Sequence, residues 1–121
     1  MIFLLAFLLL LFPSQLQAGQ TLLILHKVGN SLGVYDPDSG RRQALIPVGL
    51  KPHEFVVAPD HRLAYVTDYG GFICIVDIAQ PEAAYNYNTV FTEGTPNGIF
   101  VDGNYAYVAS RVGGLRIIKL W

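Results

Sequence analysis

The chain has 121 residues, eight of them Lys or Arg and nine Asp or Glu, a formal net charge of −1, and 52% of its residues are apolar. That length accommodates one small domain. The balanced charge, with no basic run, argues against nucleic acid and against an anionic membrane surface as partners, and the single cysteine, Cys74, excludes an internal disulfide.

The chain opens with an unbroken apolar run, Ile2 to Phe12, followed by Pro13-Ser14-Gln15-Leu16-Gln17-Ala18. An apolar stretch of about 7–15 residues that ends near a small residue reads as a secretory signal peptide. Residues 1–18 are therefore expected to be a leader cut after Ala18, and an uncleaved N-terminal anchor is the other reading. The run is too short to span a bilayer as a helix, which takes about 20 apolar residues. Residues 19–121 then form the domain, with no stable membrane span after cleavage. Its expected location is outside the cytoplasm: secreted, periplasmic or in the cell envelope.

From Gly19 onward, short runs rich in Val, Ile, Tyr and Phe alternate with Gly, Pro, Asn and Asp clusters. This is the pattern of an all-β domain. Strands are predicted near residues 21–27, 31–36, 42–48, 54–58, 63–68, 72–78, 87–92, 98–101, 104–109 and 114–120. Asp36-Pro37-Asp38-Ser39-Gly40 is a strong turn sequence. Pro59-Asp60-His61-Arg62 is a second turn, where His61 stands at a place that favours a positive φ. Asp102-Gly103 suits a tight hairpin. Cys74, inside Phe72-Ile73-Cys74-Ile75-Val76, reads as a small buried apolar side chain. Tyr85 and Tyr87, in the segment Ala83 to Asn88 that links the third and fourth strands on the outer side, are candidates for an exposed contact.

One stretch occurs twice. Pro52 to Val66 is echoed by Pro96 to Val108, and the two Ala-Tyr-Val triplets, at Ala64 and Ala106, are 42 residues apart. A repeat of about 40–50 residues built of short strands is the mark of β-propeller blades. The first strands fit the same scheme: Ile24-Leu25 aligns with Tyr65-Val66 at a spacing of 41, which places Gly29 on Gly70. The expected fold is a partial β-propeller of about ten antiparallel strands. It begins at the second strand of one blade, runs through a complete four-stranded blade and ends after the third strand of another.

These residues resemble the YVTN-type β-propeller repeat. Tyr65-Val66-Thr67-Asp68 comes nearest to the naming motif, Tyr107-Val108-Ala109-Ser110 is a looser copy, and Gly49 to Glu54 and Ala58-Pro59-Asp60 match its flanks. Gly114-Leu115-Arg116-Ile117-Ile118-Lys119 is similar to the related LVIVD repeat, with Lys119 where that motif has Asp. The resemblance implies an exported or surface location. It covers binding modules, sensors and cofactor enzymes alike, and it carries no shared catalytic residue.

In such a fold the lead-in loops of the inner strands meet at one mouth of a central channel, where pockets form on a rigid scaffold. Lys51, His53, Glu54 and Asn97 are the expected polar lining, with Arg111 as a contact for an anion. His53 and Asn97 hold equivalent places after a proline, and satisfying backbone groups at a blade junction is the competing role for both. No catalytic set stands out: the serines lack a nucleophile-elbow setting. The scattered His26, His53 and His61 have no metal-ligand spacing, and no cofactor is specified. The expected function is a binding or scaffold module that is a fragment of, or partner to, a larger propeller. Its partners are protein or further blades, by self-association or in a larger chain. The alternative is part of an exported propeller enzyme, a lactonase-like hydrolase or a quinone- or haem-dependent oxidoreductase.

Overall fold

The structure, a computed structural model, describes residues 19–120, so the expected leader lies outside the described residues. Ten strands follow one another: β1 Leu22–His26, β2 Ser31–Tyr35, β3 Arg42–Pro47, β4 Pro52–Val57, β5 Leu63–Asp68, β6 Phe72–Asp77, β7 Tyr85–Phe91, β8 Pro96–Asp102, β9 Tyr105–Ser110 and β10 Gly114–Lys119. All pairs are antiparallel. They form three sheets, here blades A (β1-β2-β3), B (β4-β5-β6-β7) and C (β8-β9-β10). Blade B has the full four strands. Blade A corresponds to its last three and blade C to its first three, as the repeat predicts.

Period-two side-chain alternation lets blade B serve two cores at once. Ala64 and Val66 of β5 and Cys74 and Val76 of β6 face blade A, where they meet Leu32, Val34, Ile46 and Val48. The residues that alternate with them, Tyr65, Ile73 and Ile75, face blade C and meet Val101, Ala106 and Val108. Burying one such aliphatic side chain is worth about 1.5–3 kcal/mol. The two seams between blades are therefore what holds the domain together. Cys74 is buried in the first seam, its Sγ 3.2 Å from the Val48 carbonyl, and burial pushes its thiol pKa up.

The turns bear out their sequence signals. His61 has φ +59° and its N–H donates to the Ala58 carbonyl at 2.8 Å. Gly103, at φ +54°, opens the two-residue turn between the paired Asp102 and Tyr105. Asp36 accepts from the Asp38 N–H and the Ser39 hydroxyl, closing its turn locally.

Two expectations need correction. The strand predicted near 87–92 runs from Tyr85 to Phe91, so it starts two residues earlier and takes in Tyr85 and Asn86 rather than leaving them in the link before it. The link holds a short 3-10 turn at Pro81–Ala83 instead. Tyr85 and Tyr87 are both exposed on this outer strand. The second correction concerns blade A. Leu23 and Leu25 face the seam with blade B, as Tyr65 faces the seam with blade C. Thus β1 matches β5 at a spacing of 42, while β2 matches β6 at 41. The physical cause is the hairpin: four residues separate the paired His26 and Ser31, against three between Asp68 and Phe72.

Candidate functional site

The sequence places Asp68 at the end of β5, opposite Pro52 at the start of β4. Asp68 is 2% exposed. Its carboxylate accepts the Lys51 N–H at 2.8 Å and the Gly70 N–H at 2.7 Å. Gly49, at φ +103°, lies so close that any β-carbon there would run into this carboxylate. The last residue of the Tyr-Val-Thr-Asp motif thus clamps the lead-in loop to the next hairpin. A charge-assisted bond to a backbone donor is among the stronger hydrogen bonds.

The clamp holds the start of β4 against β8 of blade C. The His53 ring stacks on Tyr69, centroids 4.6 Å apart and planes at 28°. Its Nδ1 is 3.1 Å from the Asn97 carbonyl oxygen. A carbonyl only accepts, so Nδ1 carries the proton, and in the neutral ring Nε2 keeps its lone pair. The Tyr69 hydroxyl donates to Asn97 Oδ1 at 3.2 Å. The Thr67 hydroxyl lies 3.2 Å from the Glu54 carbonyl and 3.4 Å from that of Asn97. Glu54 Oε1 accepts the Ile99 N–H at 2.9 Å. The Arg111 guanidinium lies over the Tyr69 ring, 5.2 Å from its centroid, where a cation meets the negative face of the ring.

The residues singled out from sequence therefore gather at one end of the B–C junction. His53 and Asn97 are joined directly, Glu54 meets Asn97 through the Thr67 hydroxyl and holds the Ile99 N–H, and Arg111 joins them through Tyr69. Lys51 enters by its backbone alone, and its exposed side chain makes no ion pair among the described residues. Thr67, Asp68 and Tyr69 were missed as a functional group. Their signal is positional: they end the strand that pairs with the inner one. What the cluster does chemically is seat one blade on the next, while leaving the Lys51 and Arg111 side chains exposed and the His53 ring half-buried. An open groove of about 230 Å³ lies beside it on blade C, lined by Asn97, Ala109, Ser110, Arg111, Gly114 and Leu115.

A second polar group lies on the side of blade A turned away from blade B. His26 Nδ1 is 3.0 Å from Ser31 Oγ, and the Tyr35 hydroxyl is 3.2 Å from His26 Nε2. No sequence signal marks it, because its members come together only through the β1–β2 register. Among the described residues no cluster of three metal-ligating side chains occurs.

Comparison with known proteins agrees with this geometry. Among curated protein sequences none matches the chain. Solved structures do. Hydrazine synthase of Kuenenia stuttgartiensis is similar at 27% identity and a TM-score of 0.66, the match covering 76% of this chain and 26% of that one. A functionally unknown protein from Desulfotomaculum acetoxidans is similar at 24% identity and a TM-score of 0.67, covering 84% and 38%. The β-propeller domain of Cps50 (Swd1) from Myceliophteria thermophila superposes with a TM-score of 0.63 at 10% identity, covering 84% and 34%, a likeness of fold alone. The chain thus spans well under half the length of each. Residues 93–119 match the LVIVD repeat, and the chain is an all-β, partial β-propeller.

Proposed function

We propose that this chain is an exported β-propeller repeat module with a binding or scaffold role, acting as a fragment of, or partner to, a larger propeller. One observation carries the reading. Ile73 and Ile75 of blade B are 0% and 1% exposed, whereas Leu115 and Ile117, the same positions in blade C, are 66% and 60% exposed. An apolar face of this kind marks a surface made to be covered. Further blades supply the cover, and the channel mouth carrying Lys51, His53, Glu54, Asn97 and Arg111 becomes the contact surface. Export follows from the leader-like residues 1–18. Light scattering on the purified chain tests the need for blades: self-association or binding of an apolar dye is expected, and a folded monomer that binds no dye refutes it. The binding role is tested by retention of cell-envelope partners on the immobilised chain. Retention lost in Lys51→Ala and Arg111→Ala with the fold intact supports it, and retention unchanged in both overturns that surface. Fractionation of expressing cells tests export.

The second reading, part of an exported propeller enzyme, draws on the likeness to hydrazine synthase and on the His53 Nε2 lone pair at the mouth. Fold likeness alone is a weak guide to chemistry. A quinone- or haem-dependent form predicts a coloured cofactor in the purified assembly. A hydrolase form predicts lactone cleavage that His53→Gln abolishes.

A further inference from the structure

Blade C copies blade B at a spacing of 44 from β4 to β8 and of 42 from β5 and β6 to β9 and β10. Its outward face therefore shows in open form the face that blade B turns toward blade C. Tyr107, Leu115 and Ile117 stand where Tyr65, Ile73 and Ile75 stand in blade B. The B–C seam records what such a face receives. Pro96-Asn97-Gly98, the start of an inner strand, enters a seat made by His53, Thr67 and Tyr69. Asn97 is an acceptor in all three contacts, through its carbonyl oxygen to His53 and Thr67 and through Oδ1 to Tyr69. The corresponding seat on blade C is the groove bordered by Asn97, Ala109 and Arg111. Arg111 holds the place of Tyr69. Its N–H donates to the Thr95 carbonyl, as that of Tyr69 donates to the Lys51 carbonyl. A guanidinium offers donors only, and among the described residues Arg111 has no carboxylate partner.

We infer that the outward face of blade C takes a blade with a complete inner strand, and that this strand begins with a proline followed by a carboxylate that pairs with Arg111. This rests on the propeller-module reading above and adds the residue that selects the occupant. Within the described residues, blade A of a second copy starts at the equivalent of β5 and shows no segment matching Pro96-Asn97-Gly98.

The test extends the full chain. Lys119 is the equivalent of Asp77, so repeating residues 78–120 directly after Lys119 adds, in phase, an outer strand for blade C and the three strands of a next blade. The appended copy of Asn97 then faces Arg111. Two versions carry Asn97→Asp or Asn97→Lys in the appended copy alone. Ile117→Cys in the original blade C reports coverage through its alkylation rate. The extension is expected to slow alkylation of Ile117→Cys. The Asp version is expected to lower the unfolding equilibrium constant by about tenfold relative to the Lys version, the scale of one charge-assisted hydrogen bond, and Arg111→Glu is expected to reverse the order. Protection of Ile117→Cys with no Asp–Lys difference overturns this inference and leaves the module reading standing. An extension that leaves Ile117→Cys fully reactive, whether or not it folds, overturns both.

Discussion

Replacing Asp68 with alanine removes the clamp at the start of blade B. Two backbone donors, on Lys51 and Gly70, lose the carboxylate they meet at 2.8 and 2.7 Å. A hydrogen bond to a charged acceptor contributes about 1.5–3 kcal/mol, and a donor left buried without a partner costs about 1–3 kcal/mol. Lys51 and Gly70 are both exposed, so water takes over part of the loss, and the lower ends of these ranges apply. The expected destabilisation is about 3 kcal/mol. For a domain of roughly 100 residues that lowers Tm by about 12–24 °C, and against a typical total of about 5–15 kcal/mol it is a large share. Asp68→Asn keeps one acceptor oxygen and is expected to lose about half as much. Urea unfolding followed by circular dichroism reads both, with the m-value checking that two-state behaviour persists. A loss below about 0.5 kcal/mol for Asp68→Ala would refute the clamp.

Blade C carries Ser110 where blade B has Asp68, and the Ser110 hydroxyl is buried without a partner among the described residues, as is Arg116 Nε beside it. Ser110→Asp is expected to rebuild the clamp on the Thr95 and Val112 N–H groups and raise stability by about 1 kcal/mol, read by the urea midpoint; a loss counts against the equivalence of the two sites. The Tyr65 hydroxyl is likewise buried and unpartnered among the described residues, so Tyr65→Phe is expected to be neutral or stabilising by up to about 1 kcal/mol. Burial, and then Asp60, pushes the Tyr65 pKa up to about 12. A folded-state value raised above the ordinary 10 means the folded chain keeps its proton where the unfolded chain loses it, so stability falls as pH rises from about 10 toward 12. Tyr65→Phe should flatten that decline in alkaline unfolding curves. The Asp38 N–H and then the Ser39 hydroxyl hold the Asp36 carboxyl below its ordinary 3.8. The stabilising effect is therefore present above that value and lost as pH falls through the lower folded one, which a carboxyl NMR titration reads as an acid-shifted Asp36 midpoint.

Much of the fold is legible because its signals are local. Proline, glycine and Asp-Gly turns punctuate strands whose alternation assigns each face, and the 42-residue repeat then supplies the blades. Blade A shows where this runs out. Leu22-Leu23-Ile24-Leu25 is apolar throughout, so alternation gives no phase, and a one-residue slip between β1 and β5 leaves no trace in the sequence. The hairpin length decides it, and only the pairing reveals that length. The start of β7 is hidden similarly, since Asn86 between the tyrosines reads as a turn residue but here lies on an exposed outer strand. At the junction, Lys51, His53, Glu54 and Asn97 are legible as a group because proline marks both lead-ins. Thr67, Asp68 and Tyr69 are not, because their partners come from strands that only the fold brings alongside.

The central claim is that blades B and C present equivalent faces, one roofed by a neighbour and the other open. Cysteine placed at Ile73 in one variant and at Leu115 in another, with the native buried Cys74 as an internal control, compares the two faces at matched positions. The account predicts rapid alkylation at 115 and alkylation at 73 only through global opening. Equal rates at the two positions would contradict it.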